Sequence, residues 1–425
     1  MYTPRFSRVL TPFLIGCLVF LFVACAPQYQ ASAHGSTTSS PASPAISTSC
    51  PSPGTARAAV MPSMTLGTHP TIVYIVNEGT SSHPTFGTLK RYDVVTGAKV
   101  EVVKMANTTI SEAQVSGNGQ WIMFVSFVGG QAKLQLIRMD GQALQTLHCA
   151  PLPSGANPAI ALSEVQWSVD QKLVVFVSQP GVYLLNVTNG ALQVELTFAK
   201  GTSIHPRTWL DHTRVYVTIQ LPDGPPESLA ILDTSKGPNQ QLQNLQQVFD
   251  ASTSTPFCWD FDSSFDATRL FVSQCTASLN PSGPGPGPLH GPGVITLRSP
   301  NGFTYTYLYV SQGLAFTSVR AVTSSTLLFT VGNMSGDTSQ NGLWKVGTDG
   351  SNPKRLTSSG ELNQFTQFPW SNVSRDGSRY VLQITNSTSS GTTYTLEFGS
   401  LSGGSPFIFA SITNVQLATV GWTTM

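Results

Sequence analysis

Ser116-Gly117-Asn118-Gly119-Gln120-Trp121-Ile122-Met123-Phe124-Val125-Ser126 is a polar, glycine-bearing turn that runs straight into an apolar strand. The phrase returns as Asp170-Gln171-Lys172-Leu173-Val174-Val175-Phe176-Val177, as Asp266-Ala267-Thr268-Arg269-Leu270-Phe271-Val272 and as Asp376-Gly377-Ser378-Arg379-Tyr380-Val381-Leu382. Fainter copies cover residues 211–217 and 324–330, and residues 68–75 carry the strand without the turn. Self-similarity at about fifty residues marks a repeat architecture, here of seven units.

A second signal interleaves with the first. Thr96-Gly97, Asp140-Gly141, Asn189-Gly190, Lys236-Gly237, Asn301-Gly302, Asp349-Gly350 and Ser402-Gly403 each separate two apolar strands. Asp-Gly and Asn-Gly suit hairpin turns because both central residues take positive φ. Each unit therefore reads strand, turn, strand, loop, strand, glycine turn, strand. In the second unit the strands are 112–115, 121–126, 133–139 and 143–147. Four short antiparallel strands per unit make a propeller blade. The expected fold is all-β, a seven-bladed propeller of four-stranded antiparallel blades over residues 66–425. No segment has a convincing 3.6-residue period; residues 240–249 come nearest to a short helix.

The first unit starts at its second strand. Leu417-Ala418-Thr419-Val420-Gly421-Trp422 at the C-terminus matches Leu162-Ser163-Glu164-Val165-Gln166-Trp167, a first strand. The C-terminal segment is expected to pair with the strand near Thr71 and complete the first blade, which removes an open sheet edge.

Composition agrees. Of 425 residues, 10% are charged, against roughly 25% in an ordinary soluble domain. The 22 basic and 21 acidic residues nearly cancel, which excludes a strongly basic nucleic-acid binder. With 37 Gly and 29 Pro the chain is no coiled coil, yet 40% hydrophobic residues suffice for a core.

The repeats resemble those of the TolB-like, WD-repeat-like propeller family. The resemblance rests on the run from Ser116, on Met139-Asp140-Gly141 with Thr146-Leu147, on Ser374-Arg375-Asp376-Gly377, and on Lys345-Val346-Gly347-Thr348-Asp349-Gly350-Ser351-Asn352-Pro353-Lys354-Arg355-Leu356-Thr357. It implies the fold and little about activity, because this architecture hosts many functions. TolB carries an α/β domain ahead of its propeller, where this sequence has linker.

Arg5 and Arg8 precede an apolar run over residues 9–24, the form of a signal peptide spanning 1–25. Leu21-Phe22-Val23-Ala24-Cys25 resembles a bacterial lipobox, so Cys25 is the expected lipidation site. Plain cleavage at Ala24-Cys25-Ala26 and an uncleaved anchor are the alternatives. All three send the chain outside the cytoplasm, to the bacterial cell envelope. Residues 26–65, rich in Ser, Thr, Pro and Ala, read as a disordered linker.

Candidate chemistry is sparse. Asp170, Asp266 and Asp376 recur at one blade position, as turn-forming residues would. The histidines His34, His69, His83, His148, His205, His212 and His290 form no metal motif, and they read as packed or solvated imidazoles. There is no G-x-S-x-G elbow, P-loop or dinucleotide fingerprint. No catalytic, cofactor-binding or metal residue is assigned and no cofactor is expected. Cys258 and Cys275 lie near opposition across a hairpin and are the expected disulfide, with a free pair as the alternative; pairing of Cys50 with Cys149 is left open. Residues 280–293, dense in Pro and Gly, are expected to be a loop. The seven tryptophans read as inter-blade core. The expected function is binding: a monomeric, lipid-anchored envelope scaffold presenting a rigid disc to a protein, peptide or glycan, with no nucleic-acid partner. A glycan-active hydrolase or lyase at the channel mouth is the alternative, and an enzyme is the less favoured reading.

Overall fold

The computed structural model describes residues 48–52, 63–80, 82–152, 162–199, 202–220, 228–245, 258–264, 266–279, 286–302, 304–334, 337–362 and 369–425. Cys25, the signal region and most of the linker lie outside them. Seven antiparallel sheets follow one another along the chain and form a propeller ring.

The first blade opens with β1 (Pro70–Gly79), β2 (Pro84–Asp93) and β3 (Lys99–Ala106). The second holds β4 (Thr108–Val115), β5 (Trp121–Val128), β6 (Gln131–Arg138) and β7 (Gln145–Cys149). The third holds β8 (Leu162–Trp167), β9 (Leu173–Ser178), β10 (Gly181–Asn186) and β11 (Leu192–Thr197). The fourth holds β12 (Ser203–Trp209), β13 (Arg214–Gln220), β14 (Ser228–Asp233) and β15 (Gln243–Asn244). The fifth holds β16 (Cys258–Ser263), β17 (Leu270–Leu279), β18 (Pro286–Arg298) and β19 (Tyr305–Ser311). The sixth holds β20 (Phe316–Ala321), β21 (Thr326–Val331), β22 (Gly342–Gly347) and β23 (Lys354–Arg355). The seventh holds β24 (Arg379–Thr388), β25 (Gly391–Ser400) and β26 (Phe407–Thr413). Along its inner edge the described residues make two bridges, Glu361 to Gln383 and Val373 to Tyr380. Between them Pro369–Ser371 forms a 3-10 turn, where Pro369 has no N–H to give a ladder. Last comes β27 (Gln416–Thr424), which pairs antiparallel with β1, Trp422 opposite Ile72 and Leu417 opposite Val76. The expected closure is thus present.

The quoted strand explains the packing. Successive residues of a strand face opposite sides. Trp121, Met123 and Val125 join the core shared with the third blade, around Trp167 and Phe176. Ile122 and Phe124 join the core shared with the first blade, around Val73, Ile75 and Val420. Both faces are buried, so the strand reads as an unbroken apolar run rather than an alternation. Each such side chain contributes roughly 1.5–3 kcal/mol by leaving water. Trp121, Trp167, Trp209 and Trp422 are fully buried, as expected of inter-blade core.

All seven hairpin glycines, Gly97, Gly141, Gly190, Gly237, Gly302, Gly350 and Gly403, have positive φ. The repeated turn is also uniform. Ser168 donates its hydroxyl to Asp170 at 2.8 Å while accepting from the Leu173 N–H, and Ser264 with Asp266 and Ser374 with Asp376 do the same. Asn118 takes the aspartate's place in the second blade.

Two features depart from the sequence reading. Residues 286–293 are not loop: β18 runs through them, with His290 opposite Thr276. The register to β17 shifts twice, so that residues 287–288 and 291–293 of β18 have no partner on β17, and Pro and Gly tolerate the ladder only at such irregularities. Within the expected linker, residues 48–52 lie against the second blade. Cys50 forms a disulfide with Cys149, with Cα atoms 5.7 Å apart, and Thr146 donates to the Thr48 carbonyl.

Candidate functional site

The first strand of each blade forms its inner edge: β27 touches β4, β4 touches β8, β8 touches β12, and β16 touches β20. These strands carry polar residues at two alternating positions. The pairs are Glu112 and Gln114, Glu164 and Gln166, His205 and Arg207, Asp260 and Asp262, and Ser318 and Arg320. Glu112, Gln114, Glu164, Asp260 and Asp262 reach toward the next blade, and His205 and Arg320 reach back to the preceding one.

Bulges give these side chains something to hold. In β8 the pairing to β9 skips from Ser163 to Gln166, so Glu164 and Val165 have no ladder partner. Glu164 sits at φ 55°, a left-handed conformation uncommon outside glycine. Consecutive N–H groups then point the same way and make an anion-binding nest. Glu112 fills it: one carboxylate oxygen accepts from the Glu164 N–H at 3.0 Å and the other from the Val165 N–H at 3.1 Å. Burial pushes the Glu112 pKa up to about 7, opposed by the two N–H donors and reinforced by the Glu164 charge. Gln114 reinforces the joint by donating to the Val165 carbonyl. Between the fifth and sixth blades, Asp260 accepts from the Val319 N–H and pairs with Arg320 at 2.5 Å, and Asp262 accepts from the Ala321 N–H at 2.8 Å.

Glu164 turns its own side chain to the fourth blade. Its Oε1 lies 2.5 Å from His205 Nδ1, and His205 Nε2 lies 2.9 Å from the Ser203 hydroxyl. His205 is therefore neither merely packed nor merely solvated. The signal for this chain was present in the sequence: Ser111-Glu112-Ala113-Gln114 and Ser163-Glu164-Val165-Gln166 are one motif in successive blades. His69 pairs with Asp93 at 2.9 Å, and half-buried His148 lies against Phe176 with its pKa driven down to about 4 by loss of solvent. Among the described residues no group of His, Cys, Asp and Glu is arranged to hold a metal.

Two cavities adjoin the inner strands. One, about 270 Å³, is lined by Glu112, Gln114, Val165, Glu361, Gln383 and Thr419. The other, about 410 Å³, lies among the turns of the fifth, sixth and seventh blades, with Arg269, Thr323, Trp370 and Arg375 in its wall. Trp370 also packs against the cores of the first, second, third and seventh blades, so it sits centrally. Arg375 stacks on Trp370 at 4.3 Å and donates to the Ser116 and Gly117 carbonyls of the second blade. It has no carboxylate at ion-pair distance among the described residues, and burial lowers its pKa to about 10.

Of the residues expected to matter, Cys258 and Cys275 are register partners across β16 and β17. Asp170, Asp266 and Asp376 stay in their separate turns.

No family model matches the chain, and no curated protein matches it. Several solved structures are similar to it in outline. TolB from Acinetobacter baumannii is 15% identical, with 66% of this chain and 62% of that one covered and a TM-score of 0.41. A functionally unknown protein from Desulfotomaculum acetoxidans is 12% identical, covering 82% of this chain and 99% of the other, with a TM-score of 0.47. A puromycin-hydrolyzing peptidase of Mycobacterium tuberculosis is 15% identical, over 77% of this chain and 49% of the peptidase, with a TM-score of 0.45. The chain spans less than two thirds of the length of the Acinetobacter TolB.

Proposed function

We propose that this protein is an extracytoplasmic, lipid-anchored propeller that binds a peptide, protein or glycan at the turn-side face of the ring. The observation that carries this is the cavity of about 410 Å³, where an aromatic ring, two guanidinium groups and hydroxyls from three blades meet on a rigid frame. Concave sites with a few convergent polar groups on rigid supports are where ligands bind. Arg375, desolvated and without a carboxylate, favours a ligand with an anionic group.

Disulfide chemistry supports the compartment. Cys50 is bonded to Cys149, and such bonds persist in oxidising surroundings. Cys258 and Cys275 are proposed as a second pair because they face each other in register across β16 and β17. Non-reduced peptide mapping should recover that linked peptide; two free thiols would remove it. Lipidation of Cys25 is proposed on the sequence alone. Labelled fatty acid should enter the wild type and not Cys25→Ser, and equal labelling of both would end the anchor proposal.

A glycan hydrolase is less well supported. Glycoside cleavage uses two carboxyl groups facing one bond, and both oxygens of Glu112 are already engaged by backbone N–H groups. The binding proposal is tested by probing peptide and glycan arrays with the purified protein and with Arg269→Gln, whose side chain lines the cavity. Binding by the parent and its loss in the variant supports it. No bound member, or equal binding by both proteins, counts against it.

A further inference from the structure

We propose that Ser203, His205 and Glu164 form a nucleophile, base and orienting acid that attack carboxylic esters, an activity beyond ligand binding at the turn-side cavity. Ser203 and His205 are two residues apart on β12 and so share a strand face. The Ser203 hydroxyl lies 2.9 Å from His205 Nε2, and Glu164 Oε1 lies 2.5 Å from Nδ1. Nucleophile to base and base to acid are thus both within hydrogen-bond reach, the arrangement by which such a trio is recognised on unrelated folds.

The proton positions follow from the partners. An ionised carboxylate only accepts, so the hydrogen resides on Nδ1. Nε2 then carries a lone pair and accepts from Ser203. That is the tautomer a base needs to take the serine proton.

The acid is held in place. Glu164 adopts φ 55° because Glu112 binds its N–H and that of Val165. A residue kept in an unfavourable conformation by its neighbours is a common mark of a working site. The Glu164 side chain is 14% exposed and that of His205 is 26% exposed, so the acid is sheltered and the base is open to substrate. Glu164 Oε2 has no hydrogen-bond partner among the described residues, which leaves its charge to stabilise the imidazolium formed during reaction.

The step balances without a metal or redox partner. Ser203 Oγ bonds to the ester carbonyl carbon while its proton passes to Nε2. Collapse of the tetrahedral adduct breaks the C–O bond, and the Nε2 proton leaves with the alcohol. Water then repeats the sequence on the acyl-serine, releasing the acid and restoring Ser203.

The competing role is a hydrogen-bonded strap between the third and fourth blades, and reactivity separates the two. The full chain is treated with a fluorophosphonate probe and the adduct located by peptide mapping; p-nitrophenyl acetate turnover is followed in parallel. The expected result is an adduct on Ser203, with turnover about 100-fold or more lower in Ser203→Ala and at least about 10-fold lower in His205→Gln and Glu164→Gln. Mapping the wild type needs no variant, so it stands even if a substitution impairs folding. Absence of an adduct at Ser203, or a Ser203→Ala protein that melts normally and turns over the ester at the parent rate, reduces the trio to a strap. Either failure leaves the array-binding result untouched, and the array result says nothing about Ser203.

Discussion

At the scale of single residues, conformation and burial decide more than charge. The repeated turn needs a left-handed residue two or three positions before its strand. Gly119 and Gly377 supply it at no steric cost, while Gln171 and Ala267 adopt it at φ 62° and 56°. Ala267→Gly should therefore raise stability by about 0.5–1 kcal/mol in denaturant unfolding. A loss instead would mean that the Ala267 methyl packs more than its place at the edge of the fourth–fifth blade core suggests. Burial also sets the pH profile. Glu112, Glu195 and Asp262 are pushed up to about 7, chiefly by lost solvation. A carboxyl raised on folding gives stability that is fully present below its usual value and is lost as pH rises through 7. His148, lowered to about 4, acts the opposite way, losing stability as pH falls below its usual 6.5, but it is one group against three. Against desolvation, the largest single influence on Asp170 and Asp376, the hydroxyl and N–H donors together hold the turn aspartates below the usual value, so their stability is lost only in stronger acid. Melting temperature should thus be higher near pH 5.5 than at pH 8. Glu195→Gln, at a fully buried side chain, should flatten that slope. A Tm that rises from pH 5.5 to 8 would contradict the assignment.

At the scale of elements, the legible parts were those that recur. The glycine hairpins repeat seven times and the serine turns four, counting the one with Asn118, so each copy corroborates the others. What stayed hidden is what each blade does once. Nothing in the local pattern of residues 286–293 announces that two register shifts against β17 let a Pro/Gly stretch continue a ladder. The inner-strand polar pairs were visible as a motif, but their meaning depends on bulges in β4, β8, β12 and β20, and bulges follow from how neighbouring strands fit. The outer strands show the same individuality. β15 and β23 are two residues long and β3 carries Lys99, Glu101 and Lys104, all devices that discourage pairing with another chain. At β7 the Cys50–Cys149 bond brings residues 48–52 alongside instead. That bond closes a loop with a sequence separation of 99, for which loop entropy predicts about 4.7 kcal/mol. Cys50→Ser should lower unfolding stability by a few kcal/mol and expose residues 48–52 to protease. An unchanged unfolding midpoint and cleavage pattern would show that these residues do not brace the second blade.

At the scale of the whole molecule, a ring is only as stable as its joint. β27 contributes Leu417, Val420 and Trp422, all fully buried, and aligns with β1 from Pro70 to Asn77. It does more than fill a sheet. The Thr423 hydroxyl donates to the Gly119 carbonyl of the second blade at 2.8 Å, and Trp422 packs into the core shared with the seventh. Arg375 reaches from the seventh blade to Ser116 and Gly117 on the same side. The joint therefore spans three blades, and it rests on a contact of high sequence separation, whose loop entropy must be overcome before it is rewarded. This was foreseeable from the match of residues 417–422 to a first strand, because a propeller blade lacking its inner strand leaves an edge open. Removing the segment after Thr413 should take away the ladder to β1 and three buried apolar side chains at roughly 1.5–3 kcal/mol each. A surface tail of the same length would cost less than about 0.5 kcal/mol. The truncated chain should melt far below the parent, aggregate through the exposed edge of β1, and lose its single cooperative transition. Circular dichroism melts with light scattering on both proteins decide it. A truncated chain that stays monomeric and melts with the parent would mean that the ring closes without β27, and the role given to Leu417, Val420 and Trp422 would be wrong.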